Sequence, residues 1–330
     1  MELRNIYKPI RRELAKVEEI LADAFKRTRS KSILKVTNYL LESSGKRLRP
    51  ALVILSAKAT STLNSQLSTL NLTKIAATIE LIHVASLIHD DVVDHARLRH
   101  NKASINTKWG EDVSIALGDY LYSLAFELIS SCGNPDILDC ISQATKAMCE
   151  GELTQICERN NTGLLKERNM IIVKKKTAEL FAASCEAGAI LSNCPPQLER
   201  ALRGFGLDFG IAFQIIDDYL DVVGEEACLG KAPGQDIAVG EMTLPLSNLM
   251  ESFNKDERLK LRRILKTKGK NNLKKIRQWL QSSGALSRTK KVTLYYINSA
   301  KKRLKALPDS AYRKSLADLA DFILRRGFSS

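Results

Sequence analysis

The chain has 330 residues, of which 44% are hydrophobic and 27% charged, a globular composition that excludes an intrinsically disordered or collagen-like chain. Its formal net charge of +14 implies a surface that attracts nucleic acid, anionic membrane or phosphorylated small molecules, without choosing among them. Seven cysteines (Cys132, Cys140, Cys149, Cys157, Cys185, Cys194, Cys228) include no CxxC pair, so reduced, mostly buried thiols are expected rather than a disulfide framework or a zinc site.

The N-terminal stretch "MELRNIYKPIRRELAKVEEILADAF" reads as an amphipathic, charged helix within residues 1–30. It lacks the apolar core of a signal peptide, and no later run is expected to reach the roughly 18 apolar residues of a membrane span. A cytoplasmic chain is the expectation. Downstream, apolar residues recur at intervals of three and four in segment after segment, and alternating strand patterns are scarce, so the fold class should be all-α. Breaks fall at 60–73, 130–136, 160–163, 192–196, 230–236, 266–272 and 306–310, where small, polar or helix-stopping residues gather. None is long enough to link domains, which leaves a single domain over 1–330 built from helices of roughly 15 to 30 residues.

The segment 75–96, "IAATIELIHVASLIHDDVVDHA", is apolar on most faces and belongs at the centre of a helical bundle. At its end stand Asp90, Asp91 and Asp94. Residues four apart share a helix face, so Asp90 and Asp94 should stack with Asp91 beside them, and the three carboxylates should converge. Like charges at the edge of a low-dielectric core demand a compensating cation. The pattern returns 127 residues later as Asp217, Asp218 and Asp221 in "GIAFQIIDDYLDVVG". Chance would supply such a DDxxD string on the order of 0.05 times per chain. Oxygen-only ligands suit Mg²⁺, which keeps several waters and binds through a few carboxylates plus substrate phosphates. A cluster of Lys46, Arg47 and Arg49 in "SSGKRLRP" supplies a matching phosphate clamp. By contrast "GFGLDFG" follows no strand and reads as close helix packing, not as a dinucleotide loop.

The strings "GKRLRP", "ELIHVASLIHDDVVD", "FQIIDDYLD", "GKAPGQDIAVGEMTLPL" and "LPDSAYRKSLADLADFILRR" together resemble a trans-type polyprenyl diphosphate synthase, in order from about Leu34 to Arg326. The resemblance implies an isoprenoid-synthase-type bundle around a deep central cavity, a homodimer, and three Mg²⁺ between the two aspartate motifs and an allylic diphosphate. It also implies the chemistry. Diphosphate leaves, the double bond of isopentenyl diphosphate attacks the allylic carbocation, and a proton is lost, in successive head-to-tail trans additions. Under it the six aspartates are the catalytic metal ligands, directly or through water. Arg99, Lys176, Thr177, Gln214 and Lys231 surround the allylic diphosphate, and Lys46, Arg49 and His83 bind isopentenyl diphosphate.

Two positions depart from the family pattern: His100 stands where an arginine is usual, which affects binding of the second substrate, and Glu241 stands where a lysine is usual. Ala85 and Ser86, just before the first motif, are both small, and an aromatic residue at the position of Ala85 blocks elongation in the family. A product of five or more isoprene units is therefore expected, with Leu81 and Ile82 along the deeper path. The basic surface adds possible peripheral contact with an anionic membrane, and nucleic acid is not expected as a partner. The alternatives are a short-chain (farnesyl or geranylgeranyl) diphosphate synthase, or a noncatalytic partner subunit. A class I terpene cyclase would carry an Asn/Ser/Glu metal triad in place of the second DDxxD, and a squalene-type condensing enzyme would lack "GKRLRP".

Overall fold

A computed structural model describes residues 2–28, 30–41, 45–61, 67–99, 101–224, 233–266 and 270–328. Their helices are α1 (Leu3–Ile6), α2 (Arg11–Lys26), α3 (Lys31–Leu41), α4 (Leu48–Thr60), α5 (Thr69–Val93), α6 (Ile105–Trp109), α7 (Glu111–Ser130), α8 (Pro135–Cys157) and α9 (Lys166–Val173). These are followed by α10 (Glu179–Leu191), α11 (Pro196–Val223), α12 (Gln235–Val239), α13 (Leu244–Ser252), α14 (Lys255–Lys266), α15 (Lys270–Ser282), α16 (Ala285–Arg303) and α17 (Ala311–Phe328). The all-α expectation holds. Among the described residues, the exception is a hairpin of β1 (Leu98–Arg99) paired antiparallel with β2 (Lys102–Ala103), turned by Asn101 at φ 62°.

Capping chemistry explains why helices begin where the polar breaks end. Ser68 accepts from the Asn71 amide at the head of α5, and Asn134 accepts from Ile137 just before Pro135 opens α8. Asn254 and Glu257 exchange reciprocal bonds of 3.0 Å at the start of α14, and Ser310 caps α17 through the Arg313 amide. Each side chain satisfies an amide that the first turn leaves without a partner.

The chain packs as two compact units. The first comprises Met1–Thr145, Leu180–Gly206 and Arg303–Leu319. In it α5 is the central helix, flanked by α2, α4 and α7, and α4 is buried along nearly its whole length. The second comprises Lys146–Glu179, Leu207–Lys302 and Ala320–Ser330. Its core gathers Val222, Leu246, Leu249, Leu261, Ile276 and Leu280 from α11, α13, α14 and α15. Arg277 of α15 donates to the Val222 and Gly224 carbonyls and so closes the C-terminal end of α11.

Two expectations need correction. α5 and α7 are both long and apolar enough to cross a membrane by length and composition, although the most apolar window of α5 is 67% buried inside the protein, as in a core helix. The thiols are less buried than expected: of the six described cysteines, all free, only Cys185 is buried, and Cys149 and Cys157 are exposed.

α10 and α4 cross closely because Gly188 has no side chain. A methyl group there would run into the Val53 carbonyl oxygen and come within 3.0 Å of the Ala57 amide nitrogen. In a free helix Gly→Ala adds about 1 kcal/mol, but overpacking against rigid backbone costs about 1–3 kcal/mol. Gly188→Ala should therefore lower the urea midpoint of unfolding; a raised midpoint would show that the two helices can separate freely.

Candidate active site

In the first unit, α5 sorts its polar residues onto two faces. Ala85, Ile88 and Asp91 lie buried with Leu81 and Ile82, whereas His83, Ser86, Asp90 and Asp94 share a half-buried stripe at helical spacing. Asp90 and Asp94 thus share a face as their spacing suggested, with Asp91 beside them on the buried side, and all three carboxylates act on Arg99. Asp91 is only 3% exposed and is held by the guanidinium fork of Arg99, with Nε and Nη2 donating at 2.8 and 2.7 Å. The β1–β2 hairpin carries Arg99 into that position. Burial alone would lower the pKa of Arg99, but its bond to Asp91 and the nearby Asp90 and Asp94 raise it overall. Asp94 ends α5 as its C-cap, its amide donating to the Asp90 carbonyl at 2.8 Å. Ala85 and Ser86, expected to line one path, point to different sides; the Ser86 hydroxyl donates to the His83 carbonyl at 2.8 Å.

The basic cluster before α4 also divides. Arg47, in the left-handed region at φ 52°, bonds Glu18 through Nε at 2.5 Å and Glu80 through Nη1 at 2.6 Å. Burial pulls its pKa down, but the two carboxylates raise it further. Two residues on, Arg49 is buried over the Phe181 ring, 4.1 Å from its centre, and its Nε has no hydrogen-bond partner. Desolvation lowers its pKa to about 10 against the opposing pull of Glu80. Such a cation gains from an anion brought to it. Lys46 is exposed, and its carbonyl accepts from the Tyr7 hydroxyl at 2.9 Å.

The second unit carries the second motif on the last turns of α11. Asp217 lies 3.5 Å from the Arg326 guanidinium of α17. Asp218 is 4% exposed and accepts from Gln214 at 2.7 Å, while Gln214 accepts from Thr177 at 2.8 Å. Asp221 is 1% exposed and accepts from the Gln235 and Asp236 amides at the head of α12. The Asp218 carboxyl is pushed well above the usual range, chiefly by burial and further by Asp217, Glu241 and Asp221, with the Gln214 bond opposing. Glu241, in turn, lies 3.7 Å from Arg159.

Lys176 and Thr177 belong to a π-helical turn, Lys174–Ala178, between α9 and α10; such widened turns are frequent at functional sites. Gly151 of α8 makes room for it, since a side chain there would meet the Lys176 backbone. Lys176 pairs with Glu152. His100 and Lys231 lie outside the described residues.

Sequence reasoning missed Glu18, Glu80, Glu152, Arg159 and Arg326, because each reaches its partner across a long stretch of chain. The run "KKKT" interrupting a helix is the one local signal that marked the π turn.

The donors suit a hard divalent cation: all are carboxylate oxygens, and Asp218 is buried beside like charges that a cation would relieve. Among the described residues no three His, Cys, Asp or Glu side chains gather closely enough to hold an ion by themselves. That fits an ion completed by water and substrate phosphate.

An aspartate-bearing helix in each unit, a buried arginine with an open donor in the first and an all-helical frame suit the class of protein that handles diphosphate substrates. The polyprenyl synthetase family model matches residues 30–282. The chain is 34% identical over 330 residues to a short chain isoprenyl diphosphate synthase of Methanothermobacter thermautotrophicus, covering 99% of both. It is 34% identical over 289 residues to the octaprenyl diphosphate synthase of Escherichia coli, covering 87% of this chain and 88% of that one. Its fold superposes with TM-score 0.93 and 32% identity on a polyprenyl synthase from Caulobacter crescentus solved with calcium and isoprenyl diphosphate, covering 99% of this chain and 98% of that one. The chain belongs to the polyprenyl synthetase family and is a prenyltransferase.

Arg99→Ala would leave the buried Asp91 carboxylate unpaired. Removing one partner of a fully buried pair costs about 3–5 kcal/mol; with the Arg99 side chain 35% exposed, a loss of about 2–3 kcal/mol is expected after solvent screening. Denaturant unfolding should show it, and adding Asp91→Asn should recover part of the loss; full additivity of the two substitutions would mean that the pair is not coupled.

Proposed function

We propose that this chain condenses an allylic diphosphate with isopentenyl diphosphate in successive trans additions and releases a polyprenyl diphosphate of five or more isoprene units. The observation that carries the reading is the buried Asp218, burdened by three neighbouring carboxylates and tied through Gln214 to Thr177. It is a site built for a cation that arrives with a phosphate. Asp90 and Asp94 on α5 and Asp217, Asp218 and Asp221 on α11 are the residues that would hold Mg²⁺, with three ions per active site. Asp91 contributes by fixing Arg99. When bound, Mg²⁺ supplies Lewis-acid withdrawal of charge from the departing diphosphate. The calcium and isoprenyl diphosphate bound by the Caulobacter crescentus relative support this assignment.

The chain's own residues do the rest. Lys176, Thr177, Gln214 and Lys231 receive the allylic diphosphate, joined by Arg99. Arg49, Lys46 and His83 hold isopentenyl diphosphate, and the buried guanidinium of Arg49 gives the strongest anchor because it is already desolvated. His100 adds a donor whose charge fades near neutrality. The C–O bond of the allylic substrate breaks, the isopentenyl double bond closes on the carbocation, and the proton leaves to diphosphate. Exposed Val113 and Ile115 on α7 support association of two copies, and we read the chain as one catalytic domain over 1–330 acting as a homodimer. Its free thiols fit the cytoplasm.

Incubation with Mg²⁺, isopentenyl diphosphate and each of three allylic primers, followed by chromatography of the dephosphorylated products, tests the reaction and reads the chain length. Chelation of divalent ions should abolish turnover, and Asp90→Ala or Asp217→Ala should lower kcat by about two or more orders of magnitude. Near-parental turnover in either variant would remove that aspartate from the machinery.

Chain length is read at Ala85. A phenylalanine there adds bulk without touching a proposed metal ligand, and products should shorten to three or four units while the first condensation persists. Because Ala85 is fully buried, thermal unfolding of the variant is measured alongside. A folded Ala85→Phe enzyme making parental lengths would place the product floor elsewhere.

A further inference from the structure

Positive charge is unevenly placed. Residues 255–282, which comprise α14, α15 and the turn between them, hold eleven lysines and arginines against two acidic residues, and so account for nine of the fourteen formal net charges. The inward sides of both helices are occupied. Leu261, Ile276 and Leu280 are buried in the core of the second unit, and Trp279 packs edge-on against Phe253. Arg277 and Arg258 donate to backbone carbonyls.

Lys260, Arg262, Arg263, Lys274 and Lys275 remain exposed. Among the described residues, Lys260, Arg262, Lys274 and Lys275 have no ion-pair partner. Leu259 stands among them, 44% exposed, with Arg262 and Arg263 three and four residues further along the same side of α14. A leucine set outward between guanidinium groups matches a headgroup layer, where phosphates meet the cations and the side chain enters the acyl boundary. A single-stranded polynucleotide would be met instead by stacking aromatics, and the single aromatic of these two helices, Trp279, is already packed; a duplex, held by its phosphates, would make no use of the outward leucine.

We propose that the α14–α15 face docks this protein on the surface of an anionic lipid bilayer. The preference for lipid over polynucleotide draws on the reading of a long apolar product, whereas the exposed side chains that form the docking face include none of the residues assigned to catalysis.

The test uses the purified full chain and two sets of vesicles, phosphatidylcholine alone and phosphatidylcholine with phosphatidylglycerol in equal parts. The parent should sediment with the anionic vesicles at low salt and not with the neutral ones, and its affinity should fall at least about tenfold in about 0.5 M salt. The fourfold variant Lys260→Glu, Arg262→Glu, Lys274→Glu, Lys275→Glu should lose affinity by about tenfold or more while turning over water-soluble substrates like the parent. Should that variant not fold, Leu259→Asn provides the second reading: weaker binding with net charge unchanged. Equal binding to both kinds of vesicle, anionic binding undiminished in the folded fourfold variant, or retention on duplex DNA without vesicle binding would each overturn the proposal. Vesicle binding by a chain that proves inactive on prenyl diphosphates would leave the docking standing and remove only the enzymatic reading.

Discussion

Burying carboxylates at the ends of apolar helices is the constraint on which the arrangement of this chain depends. Desolvation and mutual repulsion both work against the ionised form, so each aspartate needs its own solution, and the small elements around α5 and α11 supply them. The β1–β2 hairpin delivers Arg99 to Asp91. The head of α12 offers two amides to Asp221, α17 brings Arg326 to Asp217, and Gln214 serves Asp218 from one turn back on α11. Hairpin, short helix and C-terminal helix each bring a donor to a carboxylate of these two motifs.

The basic residues obey the same physics with a different outcome. Arg47 and Arg49 are two positions apart, and the protein gives the first two carboxylates and the second an aromatic face. One guanidinium is fully satisfied and holds α2, α4 and α5 together. Its neighbour is left desolvated with an open donor, which is unfavourable for folding and favourable for capturing an anion. Stability and binding are thus separated within one short stretch of backbone.

Much of this was legible in the sequence. Helix boundaries showed because capping depends on local residue type, as at Asn134–Pro135 and Ser310, and the two aspartate motifs showed because their spacing is improbable by chance. Helix phase was legible too, but not which phase is buried: Asp90 and Asp91, like Ser86 and Ala85, part company according to neighbours far along the chain. Nor does a run such as "SSGKRLRP" reveal that Glu18 and Glu80 will claim its middle arginine. The division into two compact units escaped for a related reason. Each unit is assembled from separated segments, so no linker composition marks the border.

The π-helical turn at Lys174–Ala178 has a consequence for how such a chain can change. A π turn carries one more residue than the α turn it replaces, and each residue of a helix advances the side-chain direction by about 100°. Spread over one wider turn, the extra residue is taken up on the spot, so the side chains of α10 keep the facing that an uninterrupted α-helix would give them. Losing one residue here would restore an ordinary α turn, leave α10 in phase and remove only the local widening at Lys176 and Thr177. A change of count at this turn is felt at the turn itself and not along the helix.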